Sequence, residues 1–354
     1  MPALLLHGMI ISMKKRVGYF DIAKGIGIIL VVIAHIEYMP LELRKYIVTF
    51  HMPAFFVISG MLMHLTGEAG RPVKPLLMHK IQRIMIPYFV FSLVYPLIEW
   101  ARFLVTGDGY SAEHFWQDIF VGITMTGVSV LWFLPALFFS ELLVLFIIRH
   151  YKKPLYIIVY ALILTLLWCL PFLIQPMALV LWRIVICSFL VLAGYLLYPL
   201  MERAAKFPML TLPAAVFMFV ILYFTGELNG IVDLHYVLLG NKALYYLNAL
   251  IGSVSLVLLS IFIEERLGKL PEKVLTFFGR HSLFIMITHI NFFVLYIGEK
   301  IAFAASNATS RAKDPVFNIV ATVVTLVVEA GMIFVWEKLK MCGILFIGNR
   351  RTKV

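Results

Sequence analysis

The chain has 354 residues, of which 62% are hydrophobic and only 14% are charged. A soluble core does not need so much apolar sequence at this length, so the composition excludes an ordinary soluble protein and indicates a polytopic membrane protein. The net charge of +11 suits the loops of a membrane protein better than a nucleic-acid partner. The 3 cysteines form no CxxC pair, so neither a disulfide framework nor a metal site is predicted.

The apolar residues fall into about ten runs, each long enough to cross about 30 Å of hydrocarbon as an α-helix. The runs lie near 20–39, 47–65, 84–105, 132–148, 154–174, 177–198, 209–226, 245–263, 274–298 and 316–338. They predict an all-α fold with about ten transmembrane helices. One membrane domain would span 19–340, between a short N-terminal segment at 1–18 and a basic tail at 341–354.

The distribution of Lys and Arg predicts the orientation of these helices. If the N-terminus is cytoplasmic, most of the 30 Lys and Arg residues lie in cytoplasmic segments, as the positive-inside rule requires. We therefore expect both termini in the cytoplasm and the chain in a cell membrane. The apolar stretch 1–12 precedes the first basic cluster, which disfavours a cleaved signal peptide and favours Met13 as an alternative start.

The first apolar run carries ionisable residues on one face. Lys24 and His35 are eleven residues apart, which returns an α-helix to within about 20° of the same direction, and Asp21 precedes Lys24 by three. Ionisable groups inside a membrane span are costly, so this stripe predicts a polar path through the interior. Taken singly, Lys24 can be an interfacial lysine paired with Asp21, and His35 can be a packing residue; the shared face favours function.

A second histidine is predicted to lie near the first. His51 lies near the start of the second apolar run, and His35 and His51 reach similar depth if the two helices form a hairpin. Histidine suits general-base chemistry because its ordinary pKa is about 6.5. We therefore predict His35, His51 and Lys24 as catalytic residues, with His51 orienting His35. His51 can also be an interfacial cap.

Lys80 and Arg83 are spaced three apart at the start of the third run, so both cations share a face and are predicted to bind phosphate groups. Ordinary positive charge at a cytoplasmic helix end explains the same spacing. Ser59 is the third residue expected at the donor site. With Gly60 it can equally serve close packing between helices.

Further polar residues interrupt the apolar runs. We expect Asp21, His289 and Glu141 to contact substrate, with His289 facing the same cavity as the other histidines or serving only in packing. Glu141 and Arg183 can neutralise each other.

The long loop 227–244 carries Asp233 and His235, which can contact a polar acceptor or simply be solvated. The chain has no Walker A loop, GxGxxG fingerprint or HExxH helix, which argues against an ATPase, a dinucleotide-dependent enzyme or a zinc protease. No metal is predicted.

Several motifs, taken in order along the chain, resemble the membrane acyltransferase-3 family, and more closely its branch related to fucose 4-O-acetylase. They are YFDIAKGIGIILVVIAH (19–35), FHMPAFFVISG (50–60), RIMIPYFVFS (83–92), WFLPALFF (132–139) and the stretch that ends at His289. The family's signature of a basic residue followed by ten residues and a histidine maps onto Lys24 and His35.

Two other family signatures map onto this chain. FxxSG corresponds to Phe56, Ser59 and Gly60, and RxxR corresponds to Lys80 and Arg83. A lysine grips phosphate less well than an arginine because it cannot bind in a bidentate manner. Many relatives carry WSLxxE where this chain has WFLPAL, so Leu137 replaces the acidic residue and the role of that acid is absent or moved.

The resemblance implies O-acylation of a carbohydrate hydroxyl at the cell envelope. The donor would be a cytoplasmic acyl-CoA, acetyl-CoA by default, and the acceptor a cell-surface or lipid-linked carbohydrate. No permanently bound cofactor and no nucleic acid is implied, and the oligomeric state is not predicted. The main alternative is a transporter or flippase for a sugar-containing lipid or small polar solute, with the polar stripe as its pathway. A sensing module would bind ligand without consuming an acyl donor.

Overall fold

The computed structural model describes residues 17–107, 109–150, 177–305 and 315–341. Within these ranges the regular structure is helical, apart from one isolated bridge between Asp233 and Leu238. The helices are α1 Gly18–His35, α2 Leu41–Val48, α3 His51–Leu65, α4 Val73–Lys80, α5 Ile86–Thr106, α6 Ala112–Ile123, α7 Phe133–His150, α8 Met177–Ala204, α9 Pro208–Asn229, α10 Lys242–Arg266, α11 Lys269–Arg280, α12 Ser282–Asn291, α13 Val294–Ala305 and α14 Pro315–Met341. A π-helical turn, Ile81–Met85, joins α4 to α5. The predicted all-α class is confirmed.

Eight segments of the described chain are long and apolar enough to cross a membrane. They are Gly18–His35, Leu41–Leu65, Val73–Thr106, Ser129–His150, Ala178–Ala204, Pro208–Asn229, Lys242–Arg266 and Pro315–Leu339. Each overlaps one of the predicted runs. The predicted run 154–174 lies outside the described residues.

The predicted run 274–298 is not one straight helix. It is divided among α11, α12 and α13, and the last two meet at 66°, so together they form a broken span or a re-entrant element. Phe293 lies at the bend with a φ of 58°, a left-handed conformation that non-glycine residues rarely adopt. Because α12 ends at Asn291, the buried residues Thr288, His289 and Asn291 lie at a helix end inside the fold.

Helices α3 and α8 approach each other so closely that only glycine fits at two contact points. A Cβ atom at Gly60 would collide with the carbonyl oxygen of Val191, and one at Gly194 would collide with that of Val57. Small residues at such contacts are typical of helix packing in membranes, where van der Waals contact drives association. Gly60 therefore serves close packing between helices.

Two groups of polar residues lie near opposite ends of α1. We call the end where α1 stops at His35 the histidine end, and the end where Lys24 lies the lysine end. Eleven residues of α-helix separate these two side chains, about 16 Å along the axis.

Candidate active site

A cavity of about 410 Å³ lies at the histidine end. It is bounded by the end of α1, by α2 and the start of α3, by the turn before α7, by the loop 230–241 and by α12. Its lining residues are Ala34, His35, Arg44, Val48, His51, Met52, Ser129, Val130, Trp132, Val232, Asp233, Leu234, His235, Tyr236, Met286 and Ile290. We call it the histidine cavity. Its wall is mixed in character, so it can admit a polar ligand.

Helices α1 and α3 bring His35 and His51 to this cavity, and α12 packs His289 against His35 without adding it to the lining. The rings of His35 and His289 lie 5.1 Å apart between centroids at an interplanar angle of 66°, and His51 lines the same space as His35. His35 is exposed although it belongs to the interior, because the surface it exposes faces the cavity. His51 and His289 are buried, at 5% and 0% exposure. His35 is therefore the histidine best placed to meet a ligand.

The hydrogen bonds of these rings fix where their protons lie. Each Nδ1 is within bonding distance of the backbone carbonyl four residues earlier, and a carbonyl can only accept. The carbonyls belong to Val31, Ile47 and Ile285, at 2.7, 3.0 and 2.8 Å from Nδ1 of His35, His51 and His289. Neutral rings held in this way carry hydrogen on Nδ1 and a lone pair on Nε2. Each ring is thus arranged as a proton acceptor.

Arg44 is a cavity residue that the sequence did not reveal. It belongs to α2 and lines the cavity beside His35 and His51. Its Nη2 group donates to the carbonyl oxygens of Ile36 and Glu37, just past the end of α1. In the sequence it is one more basic residue in a polar segment, and nothing in its spacing indicates that the side chain turns back toward His35.

A buried arginine connects the two loops that cover the cavity. Arg183 donates from Nη1 to the carbonyl of Thr126 at 2.5 Å and from Nε to that of His235 at 2.7 Å. Its guanidinium lies 5.2 Å from the ring centroid of Trp132, and the ring of His235 stacks on Trp132 at 5.5 Å and 13°. The possible neutralisation of Glu141 by Arg183 is not what the structure shows, since Arg183 binds backbone carbonyls of two loops and Glu141 pairs with Lys80.

The same two loops contain strained backbone. Met125, Ser129 and Val237 have φ values of 60°, 51° and 58°, although none is glycine. Met125 is adjacent to one carbonyl that Arg183 binds, and Val237 is close to the other. Strain of this kind persists only where surrounding contacts hold it, and it clusters at functional sites. The contacts of Arg183 thus hold the two loops that cover the cavity in a defined conformation.

At the lysine end, the other ionisable residues of α1 form an ion cluster. Lys24 Nζ lies 2.9 Å from Asp21, and Arg280 of α11 lies 3.6 Å from the other oxygen of Asp21. Helix α11 reaches this position because Gly25 and Gly279 allow direct backbone contact; a Cβ at either would collide with a carbonyl oxygen of the facing helix. Lys24 is thus paired with Asp21, as expected if it is an interfacial lysine. It lies far from the histidines.

The face of α1 that joins the two ends is not continuously polar. Between Lys24 and His35 it carries Ile28 and Val31, and both side chains are fully buried. The stripe therefore corresponds to two polar regions with an apolar section between them, which differs from the unbroken polar path expected from spacing.

Lys80 lies in a second buried cluster at the lysine end, with Ser59, Glu68 and Glu141. Its Nζ is 2.7 Å from Glu141 and 2.8 Å from Glu68, and Ser59 donates to Glu141. The contact with Glu68 is close in distance but lacks hydrogen-bond geometry. Burial raises the pKa of Glu68, and the nearby Lys80 partly opposes that shift. We call this group the Lys80 cluster; phosphate binding by its buried lysine stays a prediction.

Glu141 supplies an acid near the position where relatives carry one. It follows Leu137 by four residues on α7, which places it one helical turn further along the same face. Arg83, by contrast, is exposed at the π-helical turn, and so is His79 at the preceding turn. Arg83 and Lys74 are thus cations of this segment that a ligand outside the fold can reach, and the exposed ring of His79 can donate a hydrogen bond.

The described structure thus defines a multi-pass membrane protein with a histidine-lined cavity at one end and a buried ion network at the other. The acyltransferase domain of the acyltransferase-3 family matches residues 17–333. The chain belongs to this family, which makes it a membrane acyltransferase. Comparisons with curated proteins and with solved structures gave no significant match. The narrower resemblance to the fucose 4-O-acetylase branch stays a prediction.

Proposed function

We propose that this protein transfers an acyl group, acetyl by default, from cytoplasmic acyl-CoA to a hydroxyl of a cell-surface or lipid-linked carbohydrate. Membership of the family supplies the acyltransferase activity. The observation that carries the site assignment is His35, which exposes its ring to the histidine cavity and keeps Nε2 free by donating from Nδ1 to Val31. Such a ring can accept the proton of an acceptor hydroxyl.

The chemical step uses His35 first as a base and then as an acid. The acceptor oxygen bonds to the thioester carbon while its proton passes to Nε2, and the carbonyl electrons move onto oxygen. When this oxyanion collapses, the carbon–sulfur bond breaks and its electron pair leaves with sulfur. The CoA thiolate then takes the proton from His35. An acyl-histidine intermediate on the same ring fits these residues equally well.

The donor would bind at the lysine end, which we place in the cytoplasm from the distribution of Lys and Arg. Exposed Arg83 and His79 can hold the phosphates of CoA, while the buried Lys80 cluster fixes the turn that carries them. The thioester must then travel about 16 Å to reach His35. Ile28 and Val31 are buried on α1 between the two ends, so the proposal includes a passage that opens beside them when the donor binds.

The test is acyl transfer by purified protein with radiolabelled acetyl-CoA and a carbohydrate acceptor. We expect His35→Ala to lose transfer by about 10²–10⁴-fold, the usual contribution of a general base. His150→Ala is the matched control, because its Nδ1 also bonds the carbonyl four residues earlier while the residue lies at the far end of α7. Undiminished transfer by His35→Ala would reject the assignment. Acceptor movement without release of CoA would favour the transporter alternative.

A further inference from the structure

We propose that Arg44 is a second catalytic group, whose guanidinium binds the oxyanion formed when the acceptor hydroxyl attacks the thioester. The inference rests on the proposed function and extends it, since a base alone leaves the developing negative charge unmatched. Fixed donors directed at such a charge commonly provide the largest single contribution to catalysis.

The position of Arg44 is set by the same residues that hold the base. Its Nη2 group donates to the carbonyls of Ile36 and Glu37, which directly follow His35 in the chain. The guanidinium is therefore fixed relative to the imidazole through a few covalent bonds of the α1 terminus. Both side chains line the histidine cavity, together with His51. A carbonyl carbon attacked beside His35 thus has a cation within the same small space.

Arg44 has hydrogen-bond donors to spare. A guanidinium carries five N–H groups, and the two on Nη2 serve the carbonyls of Ile36 and Glu37. Among the described residues neither Nε nor Nη1 has an acceptor, and Nε is buried. Buried donors are normally satisfied in folded proteins. An anionic oxygen in the cavity would satisfy these, and the planar fork of Arg suits it better than an ammonium group.

The charge of Arg44 is also not neutralised by an ion pair within the described part of the chain. Asp233 is the one acidic residue of the cavity lining there, and its Oδ1 accepts from the backbone of His235 at 2.8 Å and of Tyr236 at 3.3 Å. That carboxylate therefore organises its own loop.

Arg44 is the single Lys or Arg in the described lining, so its charge acts directly on whatever enters. Glu299 accepts from the backbone of Glu37 and lies near Arg44 without forming an ion pair with it. Arg183 lies behind the loops that cover the cavity.

The alternative is that Arg44 only caps the end of α1. A capping role predicts a loss of folded stability on mutation, whereas an oxyanion role predicts a loss of kcat with the fold intact. The neighbouring Lys45 provides a matched control, because it belongs to the same helix but pairs with Glu42 at 3.3 Å and does not line the cavity.

The experiment measures kcat and KM for acyl-CoA and acceptor in R44A, R44K and K45A, with thermal unfolding of each. We expect R44A to lower kcat by about 10²–10³-fold with KM for acyl-CoA nearly unchanged, R44K to be intermediate and K45A to match the wild type. Added guanidinium ion should partly restore R44A. Full kcat in R44A would overturn the proposal, as would loss of activity together with thermal stability that guanidinium does not rescue. If the wild type itself transfers no acyl group, the proposed function fails instead.

Discussion

One hydrogen bond per ring sets the position of the proton on each of the three histidines at or beside the histidine cavity. Each of the three histidines donates Nδ1–H to the backbone carbonyl four residues earlier in the chain, which leaves Nε2 as the reactive atom. The proximity of His35 and His51 could be predicted, because equal numbers of residues on either side of a hairpin bring them to similar depth. The role of Arg44 could not, because its contact depends on a side-chain direction that spacing does not encode.

His235 makes the folded state sensitive to acid. Burial, followed by the positive charge of Arg183, lowers the pKa of His235 to about 4, against about 6.5 in the unfolded chain. Between these two pKa values His235 is protonated in the unfolded chain but stays neutral in the folded protein. The free energy of unfolding therefore decreases as the pH falls from about 6.5 toward 4. His235→Phe keeps a ring to stack on Trp132 and removes the titration.

We therefore expect the unfolding midpoint of the wild type to fall between pH 7 and pH 5 more steeply than that of His235→Phe. Thermal unfolding in detergent measures both slopes. Equal slopes would show that protonation of His235 does not determine the acid sensitivity.

The helices pack through contacts that the sequence only hints at. Apolar length alone locates eight spans, but the run 274–298 has no proline or glycine at the bend near Phe293 that would reveal the break. Hydrophobicity reports that a segment is buried in lipid or protein, and it does not report its path. The break matters because it ends α12 just after His289, and so helps to place that ring beside His35.

Close packing of α3 on α8 predicts that Gly60→Ala destabilises the fold. The added Cβ would collide with the Val191 carbonyl, and backbone cannot move away as a flexible side chain can. We expect a loss of about 1–3 kcal/mol, seen as a lower unfolding midpoint. Gly331→Ala is the control, because no atom lies within 4 Å of its Cβ position in α14. A Gly60→Ala variant as stable as Gly331→Ala would contradict the packing described.

The Lys80 cluster connects α3, α7 and the segment leading into α5, and it predicts different outcomes for two neighbouring cations. Lys80→Met leaves Glu68 and Glu141 buried without their cation, and we expect a loss of about 3–5 kcal/mol. Arg83→Met removes an exposed charge, so the fold should persist while KM for acyl-CoA rises. Unfolding midpoints and donor titrations test both. A stable Lys80→Met protein, or an Arg83→Met protein with unchanged KM, would revise the roles of these residues.

The whole molecule joins two polar ends through an apolar middle. Its ion network lies at the lysine end and its cavity at the histidine end, with Ile28 and Val31 between them on α1. An acyltransferase so arranged can accept its donor on one side of the membrane and its acceptor on the other. Family membership follows from the sequence, and the sequence also contains Ile28 and Val31 on the face between Lys24 and His35; the structure adds that both side chains are buried.

Acyl transfer between the two ends of the protein is tested most directly in sealed vesicles that contain the purified protein in one orientation. Radiolabelled acetyl-CoA is supplied at the lysine end and a membrane-impermeant carbohydrate acceptor at the histidine end. We predict labelled acceptor on the histidine side, free CoA thiol on the lysine side, and loss of both with His35→Ala but not with His150→Ala. Transfer only when both substrates share one side, or transfer that persists in His35→Ala, would contradict this prediction.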